Sequence, residues 1–167
     1  HVPAFWRWQG RLGEGVDVPA LTAHIDLYRT FCELAGVKIP GHVQEVDGRS
    51  LLPLLEDPQA EWDDRALFVH KGRWDKGADP NESQYRDCAV RTARWRFVNN
   101  RELFDISVDP YESRDVAADH PQVVADLRAK FDAWWGRTVP LMVNEDAAYC
   151  PVQPQAVRYE KQKQAQG

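Results

Sequence analysis

Apolar residues fall into distinct periodic runs along the chain, and each run predicts an element. Residues 2–8 alternate small or aromatic side chains around Arg7, the period of two expected of a strand. Gly10, Gly13 and Gly15 then punctuate a turn. Leu27, Phe31 and Leu34 recur at helical spacing, with Tyr28 and Cys32 flanking the stripe. That spacing predicts a helix over 26–35 with its apolar side, Cys32 included, turned inward. Gly36 supplies the left-handed stop. Leu51-Leu52-Pro53-Leu54-Leu55 reads as a short helix, because its proline fits only in a first turn. The polar, proline-marked stretch 57–61 is the best internal boundary.

Beyond it the period changes. Residues 65–70 read as a strand, and 71–86 as a long polar loop carrying Arg73, Trp74 and Tyr85. Residues 88–91 and 95–98 form a hairpin candidate joined through 92–94, with apolar side chains at alternate positions. A short strand over 102–105 closes at the Asp109-Pro110 turn. Pro121 opens the strongest helix, capped by His120 or Asp119. Val124, Leu127, Phe131 and Trp134 step along its inner face, Asp126 and Lys130 pair outside, and Gly136 ends it. The polar tail is predicted to be disordered. Strands closed by a helix predict a small antiparallel sheet with one helix across a face.

Composition narrows the function classes. The chain has 167 residues, 43% hydrophobic and 28% charged, the balance of a globular domain. A net charge of -5 argues against a sequence-blind polyanion binder, so nucleic acid is not an expected partner. No apolar run approaches the ~18 residues of a membrane span, so a membrane is not expected either. Cys32, Cys88 and Cys150 are too few and too scattered for a disulfide scaffold or a CxxC metal site. Seven Trp is unusual for this length; Trp95, Trp134 and Trp135 fall at core positions, whereas Trp62 and Trp74 lie in polar sequence.

Motif chemistry is sparse. No phosphate loop, His-x-x-x-His pair or Gly-x-Ser-x-Gly elbow is present. Asp63-Asp64 reads as a solvated loop or cap rather than a metal pair, since adjacent residues on an extended segment point opposite ways. His24 and Asp26 flank a helix start, where capping and dipole stabilisation account for them. His42 and His120 sit in turns and are expected to be solvated. The cluster from His70 to Arg94 is the exception. His70, Arg73, Trp74, Tyr85, Arg86, Arg91 and Arg94 offer forked cations and flat faces, the parts of an anionic-ligand rim. The bland alternative is a solvated loop with Arg stems packed on aromatics.

Read in order, several phrases resemble the C-terminal part of a type I, formylglycine-dependent sulfatase, the arylsulfatase family of the alkaline-phosphatase-like superfamily. Val2-Pro3-Ala4-Phe5-Trp6-Arg7-Trp8-Gln9-Gly10 resembles that family's R-V-P-x-x-x-R-W-P-G strand and turn. Residues 22–36, through His24-Ile25-Asp26-Leu27, are similar to S-H-x-D-L-x-P-T-L-L-D-L-A-G. Asp47-Gly48-Arg49-Ser50-Leu51-Leu52-Pro53-Leu54-Leu55 is similar to D-G-x-S-L-x-P-L-L. Ala89-Val90-Arg91-Thr92 with Trp95-Arg96-Phe97 resembles A-V-R-x-x-x-W-K, and 102–112 resembles E-L-Y-D-L-x-x-D-P-x-E. The five phrases keep the family's order. Departures are confined to turn and helix-start positions: Gln9 and Arg29 stand where the family has proline, and Asp115-Val116 where Asn-Leu is common.

The resemblance implies an α/β parent of alkaline-phosphatase-like fold that hydrolyses sulfate esters of a small molecule or glycan, using a formylglycine beside Ca²⁺. None of Cys32, Cys88 or Cys150 stands in the C-x-P-S-R motif that yields formylglycine, and the chain opens at His1 without a starting Met. The expectation is therefore a C-terminal fragment, inactive alone, with no catalytic or metal residue of its own. On this reading, 1–58 are the end of the parent's α/β domain, 59–143 a small antiparallel-sheet subdomain with one C-terminal helix, and 144–167 a polar tail. The subdomain would wall the substrate cleft through His70, Arg73, Trp74 and Arg91, and the upstream half of the polypeptide would be its partner. Many bacterial members of the family are secreted or periplasmic, so the resemblance is compatible with an exported parent, while the sequence itself assigns no compartment. Two rival readings are a non-catalytic module binding a sulfated glycan or protein, and a phosphodiesterase or phosphonate hydrolase of the same superfamily.

Overall fold

The computed structural model describes residues 3–41, 43, 46–75, 77–142 and 154–165. Its elements are α1 (Asp26–Leu34), α2 (Leu52–Glu56), β1 (Leu67–His70), β2 (Cys88–Arg91), β3 (Trp95–Val98), β4 (Glu102–Asp105), α3 (Pro121–Met142) and α4 (Pro154–Ala165). The four strands form one antiparallel meander in the order β1-β2-β3-β4. This is the small sheet the sequence predicts. His42 and Cys150 lie outside the described residues, as do 144–153 and 166–167 of the predicted tail.

Alternation places one side of each strand against α3. Cys88, Val90, Phe97 and Leu103 meet Leu127, Phe131 and Trp135 in a buried core, with Phe68, Trp95 and Trp134 packed at its margin. The β3–β4 hairpin turns through Asn99 and Asn100, both at positive φ (48° and 55°), as a type I′ turn requires. Asn99 also accepts the Cys88 amide at 3.0 Å, fastening the turn to β2. Trp135, rather than the expected Trp134, is the deepest indole, because α3 presents 127, 131 and 135 at strict i, i+4 spacing.

Several elements depart from expectation. Residues 3–8 form no strand, and among the described residues no strand pairs with them. Gly136 does not stop α3, which runs through Pro140 to Met142. That extension is held by tertiary contacts of its last turns, described below, which outweigh glycine's weak helix propensity. The polar loop 71–86 contains a 3-10 turn, Pro80–Ser83, capped by Asp79 on the Asn81 amide. Residues 154–165, expected to be disordered, form α4; their Gln, Lys, Glu and Ala are good helix formers behind a first-turn proline. No helix among the described residues is long and apolar enough to cross a membrane.

The largest surprise is which side of α1 is inside. Its buried residues are Asp26 and Thr30, while Leu27, Tyr28 and Phe31 of the apolar side are 37, 45 and 55% exposed. Asp26 accepts the Ala23 amide at 2.7 Å, the Arg49 amide at 2.9 Å and the Arg65 guanidinium in a two-pronged ion pair, one prong at 2.8 Å. Thr30 donates to the Asp26 carbonyl at 2.7 Å and accepts the Leu51 amide at 2.9 Å. The loop bearing Arg49 reaches this knot only because residue 48 is glycine. A Cβ there would stand 2.0 Å from the Ile25 carbonyl oxygen. Asp26 is thus no helix cap of the ordinary kind; it ties α1, the 47–51 segment and the entry to β1 together across the predicted boundary at 58. Gly36 (φ 64°) closes the helix as expected, with Gly36 N–H on Glu33 and Val37 N–H on Cys32 in a Schellman pattern.

Burial alone would raise the Asp26 pKa, but the Arg65 hydrogen bonds, the two amides and the Arg65 charge outweigh it and hold the carboxyl below its ordinary value. The stabilisation is therefore complete above the unfolded pKa of about 3.9 and is lost as pH falls through the folded value. Asp26→Asn leaves a buried guanidinium without its charge partner and is expected to cost about 3–5 kcal/mol in urea denaturation at neutral pH. Its stability should also vary less than wild type below about pH 4; a loss under about 1 kcal/mol would contradict the buried-pair reading.

Candidate functional site

The predicted rim begins where β1 ends. His70 Nδ1 accepts the Gly72 amide at 2.8 Å, which places the proton on Nε2 and lets it donate to the Ser83 carbonyl at 2.9 Å. Its ring lies 4.6 Å from that of Trp135, and Trp74 meets the same indole edge-on at 6.4 Å. Trp135 Nε1 in turn donates to Asn81 in the 3-10 turn at 3.0 Å. Tyr85 and Gln84 both donate to the Asp132 carboxylate, at 2.6 and 2.9 Å. Burial and that hydrogen-bonded carboxylate push the Tyr85 hydroxyl up to about 12. The loop is therefore riveted along α3, and the helix turns beyond Gly136 help hold it: Met142 Cε comes within 3.1 Å of where a Cβ on Gly72 would sit.

These contacts divide the four residues expected to bind substrate. His70 spends its two ring nitrogens on the loop at Gly72 and Ser83, His70 and Trp74 both set their rings against Trp135 of α3, and Arg73 is exposed in the loop between. Arg91 lies elsewhere. Residue 70 pairs with Cys88 and residue 67 with Arg91, so Arg91 sits three residues away, about 10 Å along the strand. It also points to the opposite side of the sheet from Cys88 and Val90, which face α3. The other cluster members are accounted for by neighbours. Arg94 lies over Trp95 and pairs with Asp105 at 2.7 Å, and Arg86 donates to Ser83 Oγ at 3.1 Å.

On the open side of the sheet Arg91 is joined by Arg96 and Glu112, neither of them among the residues expected to bind substrate. Arg91 stands directly opposite Arg96 on β3, flanked in the same row by Leu67 on β1 and Phe104 on β4. Arg96 pairs with the Glu112 carboxylate, and Glu112 is held at φ 57°. The signal was available: residues 91 and 96 are equidistant from the 93–94 turn, so a hairpin must set them side by side. Burial first, and then the Arg96 charge, lower the Arg91 pKa, with Glu112 and Asp64 opposing.

The remaining candidates resolve into structural roles. Asp64 accepts the Arg65 and Ala93 amides at 2.9 Å each, the cap-like role expected of it. Trp62 donates to the Leu21 carbonyl and lies beneath Arg49 and Arg65, bracing the Asp26 knot. His120, expected to be solvated, is half-buried with its ring 4.9 Å from Trp95. Its carbonyl receives the Val124 amide at the start of α3, while Asp119 turns away to Arg114. Cys88 is buried, and desolvation pushes its thiol up, the opposite of an activated nucleophile. Cys32, expected inside, is only half-buried. No three His, Cys, Asp or Glu side chains gather as a metal-ion set among the described residues.

A family model described as "N-sulphoglucosamine sulphohydrolase, C-terminal" matches residues 1–134. Among curated relatives, Arylsulfatase K of Rattus norvegicus is 30% identical over 138 residues, covering 76% of this chain and 23% of its own. Arylsulfatase K of Homo sapiens is 28% identical over 141 residues, covering 78% and 25% respectively. The chain thus spans about a quarter of the length of the curated relatives it matches. Among solved structures, a 2-O GAG sulfatase is 24% identical with a TM-score of 0.46, over 74% of this chain and 27% of that one. A second, solved with its substrate D-glucosamine-2-N,6-O-disulfate, is 22% identical with a TM-score of 0.45, over 66% and 23%.

Two hydrogen bonds and a ring contact fix His70 in the wall along α3. His70→Ala removes two hydrogen bonds and a ring contact and is expected to lower stability by about 2 kcal/mol in thermal or urea melts. An unchanged melt would mean that the imidazole is free for other work.

Proposed function

The chain belongs to the N-sulphoglucosamine sulphohydrolase C-terminal family of the sulfatases, and from that premise we propose that it is the C-terminal portion of an enzyme that hydrolyses sulfate esters, shaping the substrate cleft rather than performing the chemistry. The observation that carries this is the match running unbroken over residues 1–134, through the Asp26 segment and the sheet alike. On this reading, 1–58 close the parent's alkaline-phosphatase-like α/β domain and 59–143 form its small subdomain. The upstream part of the same polypeptide covers the α1 face, where Leu27 and Phe31 meet solvent and Trp6 lies 5.8 Å from Phe31. A cavity of about 200 Å³ between Trp8, Arg11, Leu34 and Leu55 continues that surface. Exposed apolar patches of this kind mark contact sites.

A sulfatase of this type uses a formylglycine beside a divalent cation, and the residues described here do not fit that group. Cys88 is buried with a raised pKa, Cys32 is followed by Glu-Leu-Ala-Gly, and no cation-ligand set is formed. No hydrolytic step is assigned to this chain. Its residues position: the loop fastened to α3 offers Arg73 at a fixed rim, with His70 and Trp74 as its supports, and the sheet offers Arg91.

Two measurements test the proposal. The isolated chain is expected to show no turnover of an aryl sulfate, whereas a reading frame extended upstream into a C-x-P-S-R motif restores it; hydrolysis by the isolated chain that disappears in Cys88→Ala would overturn the division of labour. Phe31→Ser in the isolated chain should change stability by less than about 1 kcal/mol and reduce binding of a hydrophobic dye. A loss of about 3–5 kcal/mol, as for a core aromatic, would show that α1 already buries its apolar side within this chain.

A further inference from the structure

We propose that Arg91 and Arg96 form a seat for a sulfate-type oxyanion on the open face of the sheet, separate from the His70–Trp74 wall. In a β-sheet, like charges directly across a strand pair destabilise it. Arg91 and Arg96 occupy such a pair, at adjacent central strands. The residue after Arg91 closes the hairpin through the Thr92 amide on the Trp95 carbonyl, 2.8 Å. Antiparallel alternation then makes Arg91–Arg96 a non-hydrogen-bonded pair, the kind whose side chains stand closest.

The chain neutralises this pair only partly. Glu112 engages Arg96, and does so from a left-handed backbone (φ 57°) that a non-glycine residue adopts at a cost of about 1 kcal/mol. Asp64, the next carboxylate, commits its Oδ1 to the Arg65 and Ala93 amides. Arg91 is half-buried, yet its guanidinium donates no hydrogen bond to a described residue. Its fork of donors stands beside a second fork that has one carboxylate to share. Leu67 and Phe104 flank the two arginines in the same cross-strand row, and Arg91 is partly enclosed by burial of its side chain. Two preorganised forks on rigid strands suit an oxyanion that accepts several hydrogen bonds at once. That the anion is a sulfate rests on the sulfatase reading; the seat itself rests on the cross-strand geometry.

The test is an NMR titration of the 167-residue chain with sodium sulfate against sodium chloride at matched ionic strength, with sodium acetate as a third arm. Saturable shifts of the Arg91, Thr92 and Arg96 amides are expected with sulfate and not with chloride. Arg91→Gln should weaken sulfate binding about tenfold while the spectrum stays dispersed. Arg91→Lys, which keeps the charge and loses the fork, should fall between the two. Equal responses to sulfate and chloride, or sulfate binding untouched by Arg91→Gln, would overturn the seat. Acetate binding as tightly as sulfate would overturn its assignment to sulfate. Failure here with aryl sulfate turnover intact in the extended enzyme would remove the seat and leave the sulfatase reading standing.

Discussion

One buried ion pair organises this chain. Asp26 is wholly enclosed, and the Arg65 side chain that reaches it is 7% exposed. Around them the amides of Ala23 and Arg49 and the hydroxyl of Thr30 complete a polar knot drawn from three separate segments. A buried pair adds little net stability over an apolar replacement, because desolvation offsets most of the attraction. What it does supply is position, since the fork of a guanidinium accepts a carboxylate in few geometries. Breaking it from one side leaves a charge with nowhere to go.

The knot explains why an amphipathic helix sits with its polar side inward. Asp26 and Thr30 are needed at the centre, and i, i+4 spacing puts them on one stripe of α1. The stripe of Leu27 and Phe31 is then left facing out. In a self-contained domain that arrangement would waste the apolar stripe. The curated relatives are more than three times this length, and under the function proposed above the stripe is a surface that the rest of such a protein would cover. The sheet, by contrast, builds its own core against α3.

Much of this was legible from periodicity. The β2–β3 hairpin, the 102–105 strand, the start of α3 and the Gly36 stop follow from spacing, proline and glycine alone, and the order of short phrases pointed to the sulfatases. What was not legible depended on partners distant in sequence. Asp26 looked like a helix-start residue because nothing local announces Arg65, thirty-nine positions away. The exposure of Phe31 could not be read from α1, since a hydrophobic stripe states only that it wants cover. Gly136 fails as a stop because α3 is held beyond it by the loop it braces. The rim residues His70 and Arg91 seemed one cluster in sequence, but a strand's alternation and length send them to opposite faces and opposite ends.

The central claim is that the polar knot, and not a shared apolar core, couples residues 1–58 to the sheet. Native-state hydrogen exchange of wild type and Arg65→Met tests it directly. In wild type the Arg49 and Leu51 amides, which donate to Asp26 and Thr30, should exchange slowly. In Arg65→Met they should approach loop rates while Val90 and Phe97 in the sheet stay protected. If all four remained equally slow in the variant, the coupling would lie elsewhere and the account would be wrong.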